Sequence, residues 1–483
     1  MKRLNSLIVA MVLGSVLTLG AADTVPPLLE AVKAGNAQRV RALLRQGTNV
    51  NASEPDGMAA LHWAVRANDS ETVRLLLRAG ANAKAANRYG VTPLNLAAIN
   101  GNASLIESLI EAGGDPDTAT PEGETVLMTA ARTGKPDALK VLVTRGAKVN
   151  ATEKWQGQTA LMWAATENNA AAIRVLMEAG ADPNIHSNVW KFPEYRYETN
   201  GMAVFQLPRG GWTALMYAAR QNAKEAAAAL ADLKADLNAV DADGTAALHL
   251  AIINVHYDLA SLLLKRGADP NIPDAAGLTP LYAAVDMRSP AGMMTRPNPK
   301  IADQEELDAL GIIRVLLEHG PNPNIALKKP IIGRHNNLIG DTSLGEGATP
   351  LARAAKTNDL PALRLLLEHG ADPTLTLKDR TTTAMMASSI EAIQLLVEHG
   401  VDVNAFNTNG QTLLHNAAAR GANPIIKYLA QAGAKLDRKD KQGRTPLDIA
   451  RGAGSGGGRG GRGGGGRVNE ATVALLEELM TRK

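Results

Sequence analysis

"YGVTPLNLAAINGNASLIESLIEAGGDPD", Tyr89–Asp117, holds two short helices and the turns that end them. Thr92 can cap a helix with its hydroxyl, and Pro93 suits the first helical turn, where no amide donor is needed. Leu94, Ala97 and Ala98 share one face, and the two alanines permit close approach of a second helix. Gly101 ends this first helix. Leu105, Ile106, Leu109 and Ile110 then form an apolar stripe at helical spacing, closed by Gly113, Gly114 and the "DPD" turn. Neither helix is long enough to persist alone in water, so stability must come from stacking on neighbours.

The neighbours are in the sequence. The position before a recurring "PL" or "AL" falls at Pro26, Ala59, Thr92, Thr125, Thr159, Thr213, Ala246, Thr279, Thr349, Thr383, Thr412 and Thr445. The intervals are 33, 33, 33, 34, 54, 33, 33, 70, 34, 29 and 33 residues. Such a period marks a repeat architecture whose units bury a shared core only when stacked.

At these residues the chain resembles the ankyrin-repeat family. "TPLN" (Thr92–Asn95), "AALH" (Ala246–His249) and "TPLD" (Thr445–Asp448) match its first-helix signature, and "GADPNI" (Gly180–Ile185, Gly267–Ile272) matches its connecting segment. The resemblance covers about residues 25–483. It implies an all-α solenoid of about 12 stacked helix-turn-helix units with projecting β-turn fingers. It also implies protein recognition through the finger tips and the concave face of the first helices. Residues 23–483 are therefore read as one solenoid, with "VPPLLEAVKAGN" and "TVALLEELMTRK" as its end caps.

Four segments break the period. Insertions of about 186–210, 287–310 and 328–346 enlarge connections, and in repeat proteins such insertions map to loops, often on the binding face. The run "GAGSGGGRGGRGGGGR" (Gly452–Arg467) reads as a flexible linker within the last unit, long enough to span ~22 Å as a coil. Its glycine-rich phosphate-loop match follows a helix rather than a strand and carries no weight. Unit ten, "TTTAMMASSIEAIQLLVEHG", is short by about four residues between its helices, so a clipped turn and a local weakness are expected there.

Residues 1–22 read as a signal peptide. Lys2 and Arg3 precede the apolar run "SLIVAMVLGSVLTLG", and "GAAD" offers a cleavage site after Ala22. The run is shorter than the ~20 residues that spanning needs, so stable membrane insertion is not expected after cleavage. The chain has no Cys, which excludes disulfides, thiolate zinc sites and thiol nucleophiles. Export without Cys suits a bacterial periplasm or the extracellular space. A net charge of +3, with 51 basic and 48 acidic residues, gives no electrostatic case for nucleic acid.

The aromatic residues are unevenly placed. Nine of the fifteen lie in one stretch: Trp155, Trp163, Trp190, Phe192, Tyr195, Tyr197, Phe205, Trp212 and Tyr217. Trp163 and Tyr217 occupy the same first-helix position in adjacent units, and neighbouring helices sit ~8–10 Å apart. Trp and Tyr are typical interface anchors. Three uses remain open: the rings hold the inserted loop down by packing on each other, they form a partner-binding patch, or they line a small-ligand pocket. Polar finger residues Arg88, Tyr89, Gln156 and Arg444 would stand on the rim.

The nine histidines suggest a metal, and geometry argues against one. His319, His369 and His399 each close a second helix in "EHG". Stacked equivalents lie ~8–10 Å apart, while ligands of one zinc must each come within ~2 Å of it. Such a His favours the helix C-terminus instead. His62, His249 and His415 sit in units two, seven and eleven, where the family resemblance implies that they brace the turn. "DADG" (Asp241–Gly244) reads as a turn, since it lacks the further ligands of a calcium loop. Glu305 and Glu306 are expected to be solvated. No nucleophile elbow, zinc-protease or nucleotide-loop motif is present. The expectation is a monomeric, non-enzymatic, cofactor-free scaffold that binds a protein. A structural spacer in the cell envelope is the alternative, and an enzyme built from Glu194, His186, His335 and Asp341 on the inserted loops is a remoter one.

Overall fold

A computed structural model describes residues 26–190, 209–288, 304–331, 344–452 and 469–482, with the backbone alone at 197–199, 202–204 and 209. The expected signal peptide (1–22) lies outside the described residues, as do most of the glycine run and the centres of the three insertions. Among the described residues, 24 helices pair into twelve antiparallel units, from Pro27–Lys33 with Ala37–Arg45 to Pro446–Ala450 with Glu470–Thr481. No described helix is long and apolar enough to cross a membrane.

The local rules read from Tyr89–Asp117 hold in detail. Thr92 accepts from the Asn95 amide and Pro93 opens the helix Pro93–Asn100, which Gly101 ends at φ +66°. Most units without Gly at that turn place Asn there, in the same left-handed backbone, as at Asn68, Asn222 and Asn358; unit seven places Val255 there, at φ +58°. Leu94, Ala97, Ala98, Leu105, Ile106 and Leu109 are all buried. One contiguous apolar core runs from Leu28 to Leu476. Neighbouring first helices pack more closely than most neighbouring second helices, because their facing positions are mostly alanine.

Polar contacts fix the register from unit to unit. In the fingers, the amides of Arg88, Lys154 and Ala275 donate to the carbonyls of Asp56, Glu122 and Asp243 in the preceding finger, each at 2.9 Å. At the finger base, the Asn that closes the "KVN" or "DPN" turn reaches the next unit. Asn150 Oδ1 accepts from the Asp182 amide at 2.9 Å and Asn184 Oδ1 from the Asp236 amide at 2.9 Å. The second of these spans the whole 186–210 insertion, so that segment loops out without disturbing the stack.

Three readings need correction. The 186–210 insertion is not all loop: Val189–Trp190 pairs antiparallel with Arg209–Gly210, and Tyr197–Thr199 with Met202–Val204. Unit ten starts one residue earlier than expected, because Thr382 rather than Thr383 caps its first helix, Thr383–Met386. The interval from Thr382 to Thr412 is then 30 residues, so the helix has lost a turn of three residues, not four. Glu305 is not solvated; its side chain has no exposed surface.

Candidate functional site: an aromatic cleft at the fingers of units five to seven

The 186–210 insertion leaves and rejoins the stack through paired backbone. Ser187 N donates to Trp212 O at 3.0 Å, Gly211 N to Asn188 O at 3.2 Å, and Trp212 N to Ser187 Oγ at 2.9 Å. Gly210 and Gly211 both take positive φ, and a side chain on Gly210 would meet the Asn188 carbonyl. The pinch brings Trp190, near the start of the insertion, and Trp212, just after its end, to the same cleft. Trp212 meets Tyr217 edge to face, with ring centroids 5.3 Å apart at 70°. Trp212 Nε1 donates to Asp241 Oδ2 at 3.2 Å, and the Arg220 guanidinium lies over the Trp212 ring at 5.0 Å.

These groups line an open cleft of about 420 Å³, completed by Gln156, Ser187 and Asn188. Its wall combines three aromatic rings, three amide or hydroxyl side chains and the charged Arg220 and Asp241, a mixture able both to stack and to hydrogen-bond. Trp190, on the inserted segment, is 45% exposed.

The structure separates the residues marked in the sequence. Trp190, Trp212 and Tyr217 share the cleft. Trp155 stands at its edge with its indole 66% exposed, while its carbonyl accepts from Asn188 Nδ2 at 3.3 Å. Trp163 is half-buried on the first helix of unit five, with the Arg132 guanidinium 5.0 Å from its ring. Arg88 and Tyr89 are two fingers away, stacked on each other at 4.7 Å and bonded through Arg88 Nη2 and Tyr89 Oη at 2.5 Å. Tyr195 lies outside the described residues, and Tyr197 is described by its backbone strand alone. Sequence reasoning passed over Arg220 and Asn188, and read Asp241 only as part of a turn. Arg220 follows Tyr217 by three, one helical turn, which is the signal that would have found it.

The histidines and the aspartate turn are structural. His62, His249 and His415 accept at Nδ1 from the helix-capping amides of Ala59, Ala246 and Thr412. Their Nε2 atoms donate to Val91, Leu278 and Arg444 carbonyls in the next finger. Both ring nitrogens are committed as in the neutral imidazole. Burial holds all three below the usual imidazole value, His249 at about 4. The His319, His369 and His399 rings bond carbonyls four residues back, capping their helices. Asp241 Oδ1 accepts from the Asp243 and Thr245 amides, so "DADG" is the finger turn. Among the described residues, no cluster of three His, Cys, Asp or Glu side chains is placed to hold a metal ion.

Fold and site together define a helical repeat solenoid with an open, aromatic-lined cleft. Residues 28–120, 94–187, 197–274 and 311–407 match the family model "Ankyrin repeats (3 copies)", and 396–450 match "Ankyrin repeats (many copies)". The chain belongs to the ankyrin-repeat family. It is 29% identical over 209 residues to the B-cell lymphoma 3 protein homolog of Mus musculus, which is 42% of this chain and 39% of that protein. It is 31% identical over 213 residues to neurogenic locus notch homolog protein 1 of Homo sapiens, 44% of this chain and 6% of that protein. It is 25% identical over 221 residues to the E3 ubiquitin-protein ligase KEG of Arabidopsis thaliana, 45% and 12% of the two chains. The matches thus span well under half the length of each of these relatives.

Proposed function

We propose that the chain is a non-enzymatic scaffold that docks a partner protein at the finger-side cleft and along the inner face of its first helices. The observation that carries this reading is the convergence of Trp190, Trp212 and Tyr217 on one open cleft with Gln156, Ser187 and Asn188 at its walls. A few desolvated aromatic anchors in such a setting supply most of an interface's affinity. Family membership supports recognition of protein over chemistry. The amino-terminal sequence supports export, which would put the partner in the periplasm or outside the cell, and the scaffold is taken to act as a monomer.

The test is affinity capture from envelope extract, read by mass spectrometry, with the native chain and a Trp155→Ala, Trp190→Ala, Trp212→Ala variant. A specific scaffold loses a defined protein from the captured set while its helical circular dichroism stays unchanged. An identical set for both chains would favour a spacer within the envelope and overturn the docking role of the cleft.

A further inference from the structure

The solvent-facing stripe of the first helices carries a second pattern, which meets the cleft walls at Arg220. Arg66, Arg132 and Arg220 occupy the same helix position in units two, four and six, and all three are exposed. Each guanidinium lies over an indole: Arg66 over Trp63 at 5.2 Å, Arg132 over Trp163 at 5.0 Å, Arg220 over Trp212 at 5.0 Å. Stacking fixes the plane of a guanidinium and leaves its N–H fork free for a carboxylate.

The acids nearby are occupied with the indoles. Glu54 accepts from Trp63 Nε1 at 2.8 Å, and Asp241 accepts from Trp212 Nε1 at 3.2 Å. Arg132 has Glu124 at 3.7 Å, a loose contact. Arg66 and Arg220 make no ion pair or side-chain hydrogen bond among the described residues. Unit three, between the first two platforms, presents Ile99 at the same helix position, 52% exposed. Unit five, between the last two platforms, presents Thr166, so the apolar spacer is confined to the first interval.

We propose that this stripe binds an extended acidic polypeptide segment whose carboxylates engage Arg66, Arg132 and Arg220, with an apolar side chain between the first two set on Ile99. The proposal rests on the scaffold reading above and names the chemistry of its partner. Two repeats advance ~16–20 Å, and an extended chain rises ~3.3 Å per residue, so the acids recur about every six residues. A nucleic acid fits less well. It carries a phosphate at each step, whereas the stacked guanidiniums recur only every second repeat, ~16–20 Å apart.

The probe is a fluorescein-labelled peptide of ~18 residues with Glu every ~6 residues and Leu midway, titrated with the full chain and followed by anisotropy. Binding should weaken at least about tenfold when Glu is replaced by Gln, and equally in an Arg66→Gln, Arg220→Gln variant. Unchanged melting of that variant shows that the fold is intact. No binding of the Glu peptide, or binding indifferent to either replacement, overturns the proposal. Tighter binding of a poly-dT oligonucleotide than of the peptide overturns it in favour of phosphate. If the peptide fails while tryptophan-dependent capture from extract persists, the scaffold reading stands and this inference alone falls.

Discussion

The Glu305 carboxylate lies 3.1 Å from the Lys224 ammonium, with none of its own side chain exposed. Lys224 also pairs with Asp258 at 2.9 Å. Glu305 further accepts from Asn222 Nδ2 at 2.9 Å and from the Asp258 amide at 2.8 Å. Asp258 in turn accepts from the Glu306 and Leu307 amides. The far end of the 287–310 insertion is thereby clasped back onto units six and seven before the second helix of unit eight begins.

Breaking this clasp should be costly. Burial alone would lower the Lys224 pKa, and the bonds to Asp258 and Glu305 outweigh it and raise it. Glu305→Ala leaves the Asn222 amide and the Asp258 amide without their acceptor. A loss of about 2–3 kcal/mol is expected, read as lower hydrogen-exchange protection in Tyr257–Lys265 and Ala309–Glu318. Unchanged protection in both helices would refute the clasp.

His249 should make stability depend on pH. Its folded pKa is lowered to about 4 by burial, so the native state prefers the neutral ring. The contribution is complete above the unfolded value of ~6.5 and is lost as pH falls towards 4, since the unfolded chain takes up the proton first. Asp274 works the other way, because burial pushes its carboxyl up to about 6. The clean measurement is therefore a difference. The destabilisation caused by His249→Gln should be smaller at pH 4.5 than at pH 7.5 by about 2–3 kcal/mol, from urea melts of both chains. A pH-independent difference would show that the ring is not held neutral.

Asn95 stands where other units have His. Its Oδ1 accepts from the Thr92 amide at 2.9 Å, but its buried Nδ2 has no partner. The His of other units reaches a carbonyl 29 residues on, which here is that of Glu124. Asn95→His should supply that bond and raise stability by about 1 kcal/mol, measured as a shift in urea midpoint. A lower midpoint would mean that the unit-three turn cannot take the ring.

The clipped unit ten is held by its neighbours. Asn358 Oδ1 accepts from the Ser388 and Ser389 amides at 2.8 and 2.7 Å, and its Nδ2 donates to Ser388 Oγ at 2.8 Å. Arg420 Nη1 donates to the Ala387 carbonyl at 3.1 Å. Asn358 sits at φ +54°, so glycine is the replacement that removes the side chain without backbone strain. Asn358→Gly should lose about 1–2 kcal/mol, with exchange rates rising first in Thr383–Met386. Loss confined to units one to five would contradict this assignment.

The last prediction concerns the glycine run. The Asn469 amide donates to the Ala450 carbonyl at 3.1 Å, so the two ends of the run already meet. Replacing residues 453–468 by a four-residue turn should leave the fold intact and add about 1 kcal/mol, since a shorter loop loses less entropy on closing. A drop in melting temperature would show that the run itself contributes contacts.

The repeat, its caps and its core were legible in the sequence because they are local. Thr92, Pro93, Gly101 and the alanine pair act within one helix turn, and their recurrence every 33 residues leaves little choice of architecture. Unit ten was misplaced by one residue for the same reason: "TTT" offers three possible caps, and only the stack selects Thr382. The convergence of Trp190 on Trp212 and Tyr217 depends on a backbone pinch between Ser187 and Trp212, which no periodicity encodes. The burial of Glu305 depends on Lys224 and Asn222, both about 80 residues away in sequence. By itself, then, the sequence determined the twelve units, their order and the turns between them, through short-range capping and spacing. Only the tertiary structure decided which aromatics meet, which acid is buried and which guanidinium is left open, because those depend on contacts between segments far apart in the chain.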